Sequence, residues 1–357
     1  MKHYRHPGLD PGSPSFGDDK GIAGQARNDG DFIQRRQTMT VENIPIWPEA
    51  TEAYMTTYRM ERSPFHKDRL FPAILIAPGG AYLGTSDREA EQVALAYVAK
   101  GYMAFVLRYS CGEKARFPRP IIEGFKAIGM IRANAKDWHI DPTKIAICGF
   151  SAGGHLCGSL SNLWHRQDLA KQAGYKPDEI RPNAAILCYP ATALPIVTGG
   201  RPTDVPENML QAYIEKMNIP PEIQKAIFIK DGMVHYDLGK AMMDSILGEN
   251  WTPEDAKAWS CEQLIGDHTP PSFVWTTADD ATVPAEDIIN YVLALRKAGH
   301  MAEFHMFAHG VHGLSLATDI TADNPTHVNP EVEPWLDLSV AWLTQAFSQG
   351  SAEEGPA

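Results

Sequence analysis

The sequence predicts an α/β fold, with a mostly parallel central sheet covered by helices on both faces. Short apolar runs such as Pro72–Ala77, Met103–Leu107, Ile145–Cys148, Ala184–Tyr189 and Ser272–Thr277 lack the polar alternation of a half-exposed strand. Strands buried on both faces read this way, and they occur in parallel sheets. Helical stretches separate these runs, which is the alternation that builds such a sheet. One run also leads directly into Gly149-Phe150-Ser151-Ala152-Gly153-Gly154, a Gly-x-Ser-x-Gly turn between a strand and a helix.

Taken in order, residues 1–38 are rich in Gly, Pro, Asp, Arg and Gln, with almost no periodic apolar pattern, and read as a disordered extension. Met39 resembles a natural start. The main domain is expected over 39–349, opening with an entry segment of weak strand signals up to about Phe71. A helix follows the first strong strand from Asp87 to Lys100, with Ala90, Val93, Ala94, Tyr97 and Val98 on one face and Gly101 as its stop. The second strand, Met103–Leu107, is followed by a helix from about Pro120 to Lys136. The strand Ala184–Tyr189 is closed by Pro190. Ala285 to Ala298 reads as an amphipathic helix, Glu303–Phe307 as a strand, and Trp335–Phe347 as a last helix before a flexible tail over 350–357. Residues 191–271 interrupt the alternation. They contain helical pieces at Asn208–Met217, Pro221–Ile229 and Leu238–Ile246, and are expected to form a helical insertion, part of it a lid over the site.

The composition narrows the function classes. A formal net charge of -12 argues against a nucleic-acid partner, which would need a basic surface. The five cysteines have no Cys-x-x-Cys spacing and read as buried reduced thiols. No histidine spacing suggests a metal site. The N-terminus lacks the apolar core of a signal peptide, and no run is long enough to span a membrane, so the cytoplasm is the expected compartment.

The serine acquires meaning from what flanks it. A serine on a sharp strand-to-helix turn presents its hydroxyl above the sheet, and Ala152 follows it with a backbone N–H where an oxyanion can form. Upstream, Ala77-Pro78-Gly79-Gly80-Ala81-Tyr82 ends a strand and is placed to supply a second oxyanion amide, from Gly80 or Ala81. Downstream, Asp279 and Asp280 follow the strand ending at Thr277. Asp280 is chosen as the acid that orients an imidazole, with Asp279 as the alternative. Of His309 and His312, the second sits between Gly310 and Gly313 on a permissive loop and is chosen as the base. His155, one helical turn past the serine, reads as a packing residue. Tyr82 and Tyr109 are candidates to line the substrate pocket, with simple packing or an internal hydrogen bond as the alternative. Trp164, Trp251, Trp259 and Trp275 offer sugar-stacking surface or core packing.

These motifs together resemble a known group. Gly149-Phe150-Ser151-Ala152-Gly153-Gly154-His155-Leu156, Pro78-Gly79-Gly80-Ala81-Tyr82, Leu187-Cys188-Tyr189-Pro190, Asp280-Ala281-Thr282-Val283-Pro284 and Gly310-Val311-His312-Gly313 look like α/β-hydrolase serine esterases of the acetyl-esterase and acetylxylan-esterase type. The order of oxyanion loop, Ser, Asp and His is also theirs. The resemblance runs from about Pro72 to the final helix. It implies a carboxylesterase without cofactor that deacetylates small acylated substrates, acetylated sugars or xylo-oligosaccharides among them. Pro78 stands where the lipase-like branch has histidine, and Ala81 where a third glycine is common. A peptidase of the same fold and a catalytically inactive binding protein are the competing readings. The oligomeric state is open, a homo-oligomer included.

Overall fold

The computed structural model describes residues 39–62, 68–196, 201–217, 219 and 221–353. The expectation for 1–38 lies outside them. An eight-stranded sheet has the order β1-β2-β4-β3-β5-β6-β10-β11. In it, β1 is Met39–Trp47, β2 Ala50–Met60, β3 Phe71–Ala77, β4 Met103–Arg108, β5 Ile140–Phe150 and β6 Ala184–Cys188. The intervening β7 (Arg201–Pro206), β8 (Ile227–Lys230) and β9 (Met233–Tyr236) form a separate three-stranded antiparallel sheet. Then β10 (Ser272–Thr277) and β11 (Ala302–Phe307) complete the main one. The entry segment with weak strand signals is the antiparallel β1–β2 hairpin, which pairs antiparallel to β4. From β4 onward every pairing in the main sheet is parallel.

The apolar runs are buried on both sides because successive side chains point to opposite faces. Ile74 and Ile76 of β3 join one core layer, while Ala73, Leu75 and Ala77 join the other. Helix α1 (Glu91–Ala99) covers the first layer with Val93 and Tyr97. Helices α2 (Arg119–Ala133) and α3 (Ala152–Leu163) cover the second with Ile121, Phe125, Leu156 and Leu160. Helix α4 is Gln167–Ala173. Four of the five cysteines are buried, Cys111 is half-buried, and none forms a disulfide. Trp275, weighed as sugar-stacking surface, is fully buried in the core.

The predicted helical insertion needs correction. Its helices α5 (Leu210–Met217), α6 (Pro221–Gln224), α7 (Leu238–Leu247) and α8 (Pro253–Lys257) are accompanied by the β7–β9–β8 sheet. The helix expected over Pro221–Ile229 stops at Gln224, and Ile227–Lys230 turns back as a hairpin through Asp231-Gly232. Both turn residues have positive φ, +53° and +72°. That is the backbone of a tight two-residue hairpin, for which Asp-Gly is a favoured pair. Helix α9 (Ala285–Lys297) forms as expected, and α10 starts at Trp335 but runs to Glu353, past the predicted end at Phe347. Residues 350–353 are therefore helical rather than tail.

Candidate active site

Every group of the site lies at the carboxyl ends of parallel strands. β5 ends at Phe150 and α3 begins at Ala152, which leaves Ser151 alone at the corner. Its φ of 52° and ψ of -117° are costly for a residue with a Cβ. The corner is held by hydrogen bonds: Ser151 N–H donates to Cys188 O at 3.0 Å, and Ser151 O accepts from His155 N–H and Ala191 N–H. Gly153 is required sterically, since a Cβ there would lie 2.0 Å from Ala77 O, where α3 crosses β3.

The loop after β11 brings His312 over the corner. His312 Nε2 lies 2.8 Å from Ser151 Oγ, and its Nδ1 lies 2.7 Å from Asp280 Oδ2. The other oxygen of Asp280 accepts the backbone N–H groups of Thr282 and Val283, at 2.8 and 3.0 Å. The Asp280 side chain is 1% exposed and that of His312 17%. The Tyr189 ring stands edge-on to the imidazole, with centroids 5.0 Å apart. Serine, imidazole and carboxylate thus form one continuous hydrogen-bonded line.

Asp279 and His309 form a second pair beside the first. Asp279 Oδ2 meets His309 Nδ1 at 3.1 Å, and Oδ1 accepts Gly310 N–H at 2.7 Å. The bond from Gly310 N–H, then that from His309, holds the Asp279 carboxyl below the usual carboxylate range. These side chains are 54% and 80% exposed, and no hydrogen bond links His309 to Ser151. The pair anchors the start of the histidine loop.

On the other side of Ser151, the Gly79–Tyr82 turn curls over the corner. Gly80, Ala81 and Tyr82 have φ of 131°, 54° and 55°. Among the described residues, no hydrogen bond uses the amide N–H of Gly80, Ala81 or Ala152. The carboxylate of Glu89, 4% exposed, fixes this turn. Its Oε2 accepts Gly79 N–H at 2.7 Å, and its Oε1 accepts the Tyr189 hydroxyl at 2.6 Å. The Tyr189 oxygen in turn accepts Ser315 N–H at 2.9 Å. One buried carboxylate therefore ties the turn before the serine to the loop that carries His312. Sequence reasoning missed it. The signal was present: Glu89 precedes Val93 and Tyr97 at four-residue intervals, a carboxylate in register with a buried helical face.

Tyr82 and Tyr109 do not line an open pocket, which corrects their place as pocket candidates; the packing and the internal hydrogen bond weighed beside that reading are what forms. They are 0% and 2% exposed, so neither offers surface to a substrate. The left-handed backbone at Tyr82 turns its ring inward against Phe117 and His155, and its hydroxyl meets His155 Nδ1 at 3.0 Å. The Tyr109 hydroxyl donates to Pro78 O at 2.7 Å, under the turn. His155 packs below the elbow, as its position predicted. Its Nε2 lies 2.9 Å from Trp259 O, and burial lowers its pKa to about 4.

Among the described residues, no group of three or more His, Cys, Asp or Glu is placed to hold a metal, and no helix is long and apolar enough to cross a membrane. Residues 62–292 match the BD-FAE family model. The chain is 30% identical over 282 residues to endo-1,4-beta-xylanase B of Butyrivibrio fibrisolvens, covering 77% of this chain and 38% of that protein. It is 26% identical to an acetylxylan esterase of Xylanibacter ruminicola, covering 69% of this chain and 42% of that one. The chain thus spans about two-fifths of the length of these curated relatives. An α/β-hydrolase enzyme from a Medee basin deep-sea metagenome library, MGS-M1, has a similar structure. Its TM-score is 0.61 at 32% identity, over 87% of this chain and 99% of that one. The chain belongs to the BD-FAE family and has the α/β-hydrolase fold.

Proposed function

We propose that the chain is a serine carboxylesterase that hydrolyses short-chain acyl esters, acetylated sugars and xylo-oligosaccharides among them. The observation that carries this reading is the line from Ser151 Oγ through His312 to Asp280, at 2.8 and 2.7 Å, beside backbone amides with no acceptor. His312 Nε2 takes the Ser151 proton as Oγ attacks the ester carbonyl. Asp280 holds Nδ1–H and stabilises the imidazolium that results. The negative charge that develops on the carbonyl oxygen is met by the N–H of Ala152 and that of Gly80 or Ala81. The tetrahedral intermediate collapses, the C–O bond to the alcohol breaks, and the alcohol leaves with the proton from His312. A water then gives its proton to His312 and attacks the acyl-serine, which releases the acid and restores the hydroxyl. No step requires a cofactor. The sugar portion of the substrate is suggested by the xylanase and acetylxylan esterase relatives.

Hydrolysis of p-nitrophenyl acetate by the wild type, abolished in Ser151→Ala, is the expected result. Labelling of Ser151 by a fluorophosphonate probe separates this reading from that of an inactive binding protein. Failure of the intact protein both to hydrolyse the ester and to take the label would overturn it.

A further inference from the structure

The amides beside Ser151 sit between two stretches of costly backbone. Ser151 has a φ of 52°, and in the turn before it Ala81 and Tyr82 have φ of 54° and 55°. Such conformations are unfavourable for a residue with a Cβ and persist only where the surroundings over-determine them. Glu89 holds the Gly79 end of the turn. At the Tyr82 end, the carbonyl is held by Gly112 N–H at 2.7 Å and the side chain by His155. The same histidine also holds the serine corner. Its backbone N–H donates to Ser151 O at 3.0 Å, and its Nδ1 lies 3.0 Å from the Tyr82 hydroxyl.

The imidazole serves in one form. Nε2 lies 2.9 Å from Trp259 O, which can only accept, so Nε2 carries the hydrogen and Nδ1 accepts the hydroxyl of Tyr82. Burial keeps the ring neutral. It is packed as well as bonded. Phe117 stacks on it, with centroids 5.8 Å apart and an interplanar angle of 9°, and stands edge-on to Tyr82 at 5.3 Å. Trp259 lies on the insertion after β6, where the chain is tied back to the insertion's start. Cys261 N–H donates to Thr192 O at 2.8 Å, and Leu194 N–H donates to Ser260 Oγ at 2.9 Å. The carbonyl that orients His155 therefore stands on a fixed base.

A packing residue would need neither ring nitrogen. Here both are used, one toward the insertion and one toward the turn that carries the oxyanion amides. We propose that His155 is a positioning residue for the reaction: through Tyr82 it braces the Gly80–Ala81 turn against the base of the insertion, and so sets the direction in which those amides face Ser151. The role rests on the esterase reading, since an oxyanion must form for the direction of the amides to matter.

The oxyanion exists only after Ser151 attacks, so lost positioning should appear in kcat with KM little changed. Tyr82→Phe keeps the ring and removes the hydroxyl. On p-nitrophenyl acetate it should lower kcat by about 10- to 100-fold with KM within about twofold, less than the roughly 10^2- to 10^3-fold cost of losing an oxyanion donor outright. The inhibition constant of trifluoroacetophenone should rise by a similar factor. With this ketone, Ser151 Oγ adds to the carbonyl carbon, the serine proton passes to His312, and the carbonyl oxygen takes the negative charge at the same amides. His155→Gln should show a comparable loss, and the double variant should lose little more than either single one, because both residues act through one contact. Wild-type kcat in both folded single variants, a loss confined to KM, or losses that multiply in the double variant overturns the positioning role. Should Tyr82→Phe fail to fold by circular dichroism, the kcat and inhibitor shifts of His155→Gln decide. A wild type that neither hydrolyses the ester nor takes the fluorophosphonate label overturns the esterase reading and this role with it. An active wild type with unimpaired variants overturns the positioning role alone.

Discussion

Asp279 and Asp280 are neighbours on one turn, and each bonds the Nδ1 of a histidine on the same loop, His309 and His312. The two pairs are nearly identical in chemistry and opposite in setting. Asp280 is buried, has both oxygens occupied, and its histidine reaches Ser151. Asp279 is exposed, its second oxygen holds a loop amide, and among the described residues its histidine shares no hydrogen bond with Ser151. A carboxylate–imidazole pair is therefore not in itself a catalytic feature. Reach to Ser151 and exclusion of water separate the two, because polar interactions in a buried setting are screened far less than exposed ones.

The comparison can be broken in order of expected effect. Ser151→Ala or His312→Ala should lower kcat on p-nitrophenyl acetate by roughly 10^4-fold or more, the usual consequence of removing a member of such a triad. His309→Ala should stay within about threefold, as expected for an exposed pair that solvent screens. Equal losses in His309→Ala and His312→Ala would erase the distinction between the pairs. Asp280→Asn should cost about 10^3- to 10^4-fold, by favouring the wrong imidazole tautomer. Asp279→Asn should cost less than about tenfold, through a looser histidine loop only.

Glu89 sharpens the contrast from the other side, as a buried carboxylate without a histidine. Glu89→Gln replaces an acceptor of two donors by a group that accepts one, so the Gly79 turn or the Tyr189 hydroxyl loses its partner. A drop in kcat of about 10- to 100-fold with a smaller change in KM is expected, together with a loss of stability of about 1–3 kcal/mol. Wild-type kcat with lowered stability alone would mark Glu89 as structural only.

His155 supplies the last term, a histidine with no carboxylate at all. It is neutral in the fold down to about pH 4, while in the unfolded chain it takes up a proton near its ordinary pKa of 6.5. The unfolded state therefore binds more protons between these values, and stability must fall as the pH drops through that window, by about 3 kcal/mol at most. Thermal unfolding from pH 7.5 to 4 should show a steeper decline for the wild type than for His155→Gln. Parallel curves would contradict the origin assigned to the shift.

How much was legible in the sequence follows from the range of the interactions. The elbow, the Gly79-Gly80 turn, and the choice of Asp280 and His312 rest on residues within a few positions of a strand end, and the geometry brings those residues together. The β8–β9 hairpin was also written locally, in Asp231-Gly232, but the flanking helical residues masked it. Tyr82 and Tyr109 could not be placed from sequence, because a tyrosine beside a strand end reads alike whether its ring turns inward or outward. Glu89 was masked in the same way by the helix it precedes. Its partners Gly79, Tyr189 and Ser315 come from three separate segments.

The order of apolar strands and helices, and the glycines at sharp corners, determined the α/β architecture and pointed to Ser151 as the candidate nucleophile. Those features depend on backbone sterics and on periodicity, which neighbouring residues carry among themselves. Which carboxylate binds the two loops together, and which way the rings of Tyr82 and Tyr109 turn, were decided only in three dimensions. Hydrogen bonds and burial act over a few ångströms in space, whatever the separation along the chain: Ser151 and His312 are 161 positions apart and 2.8 Å distant.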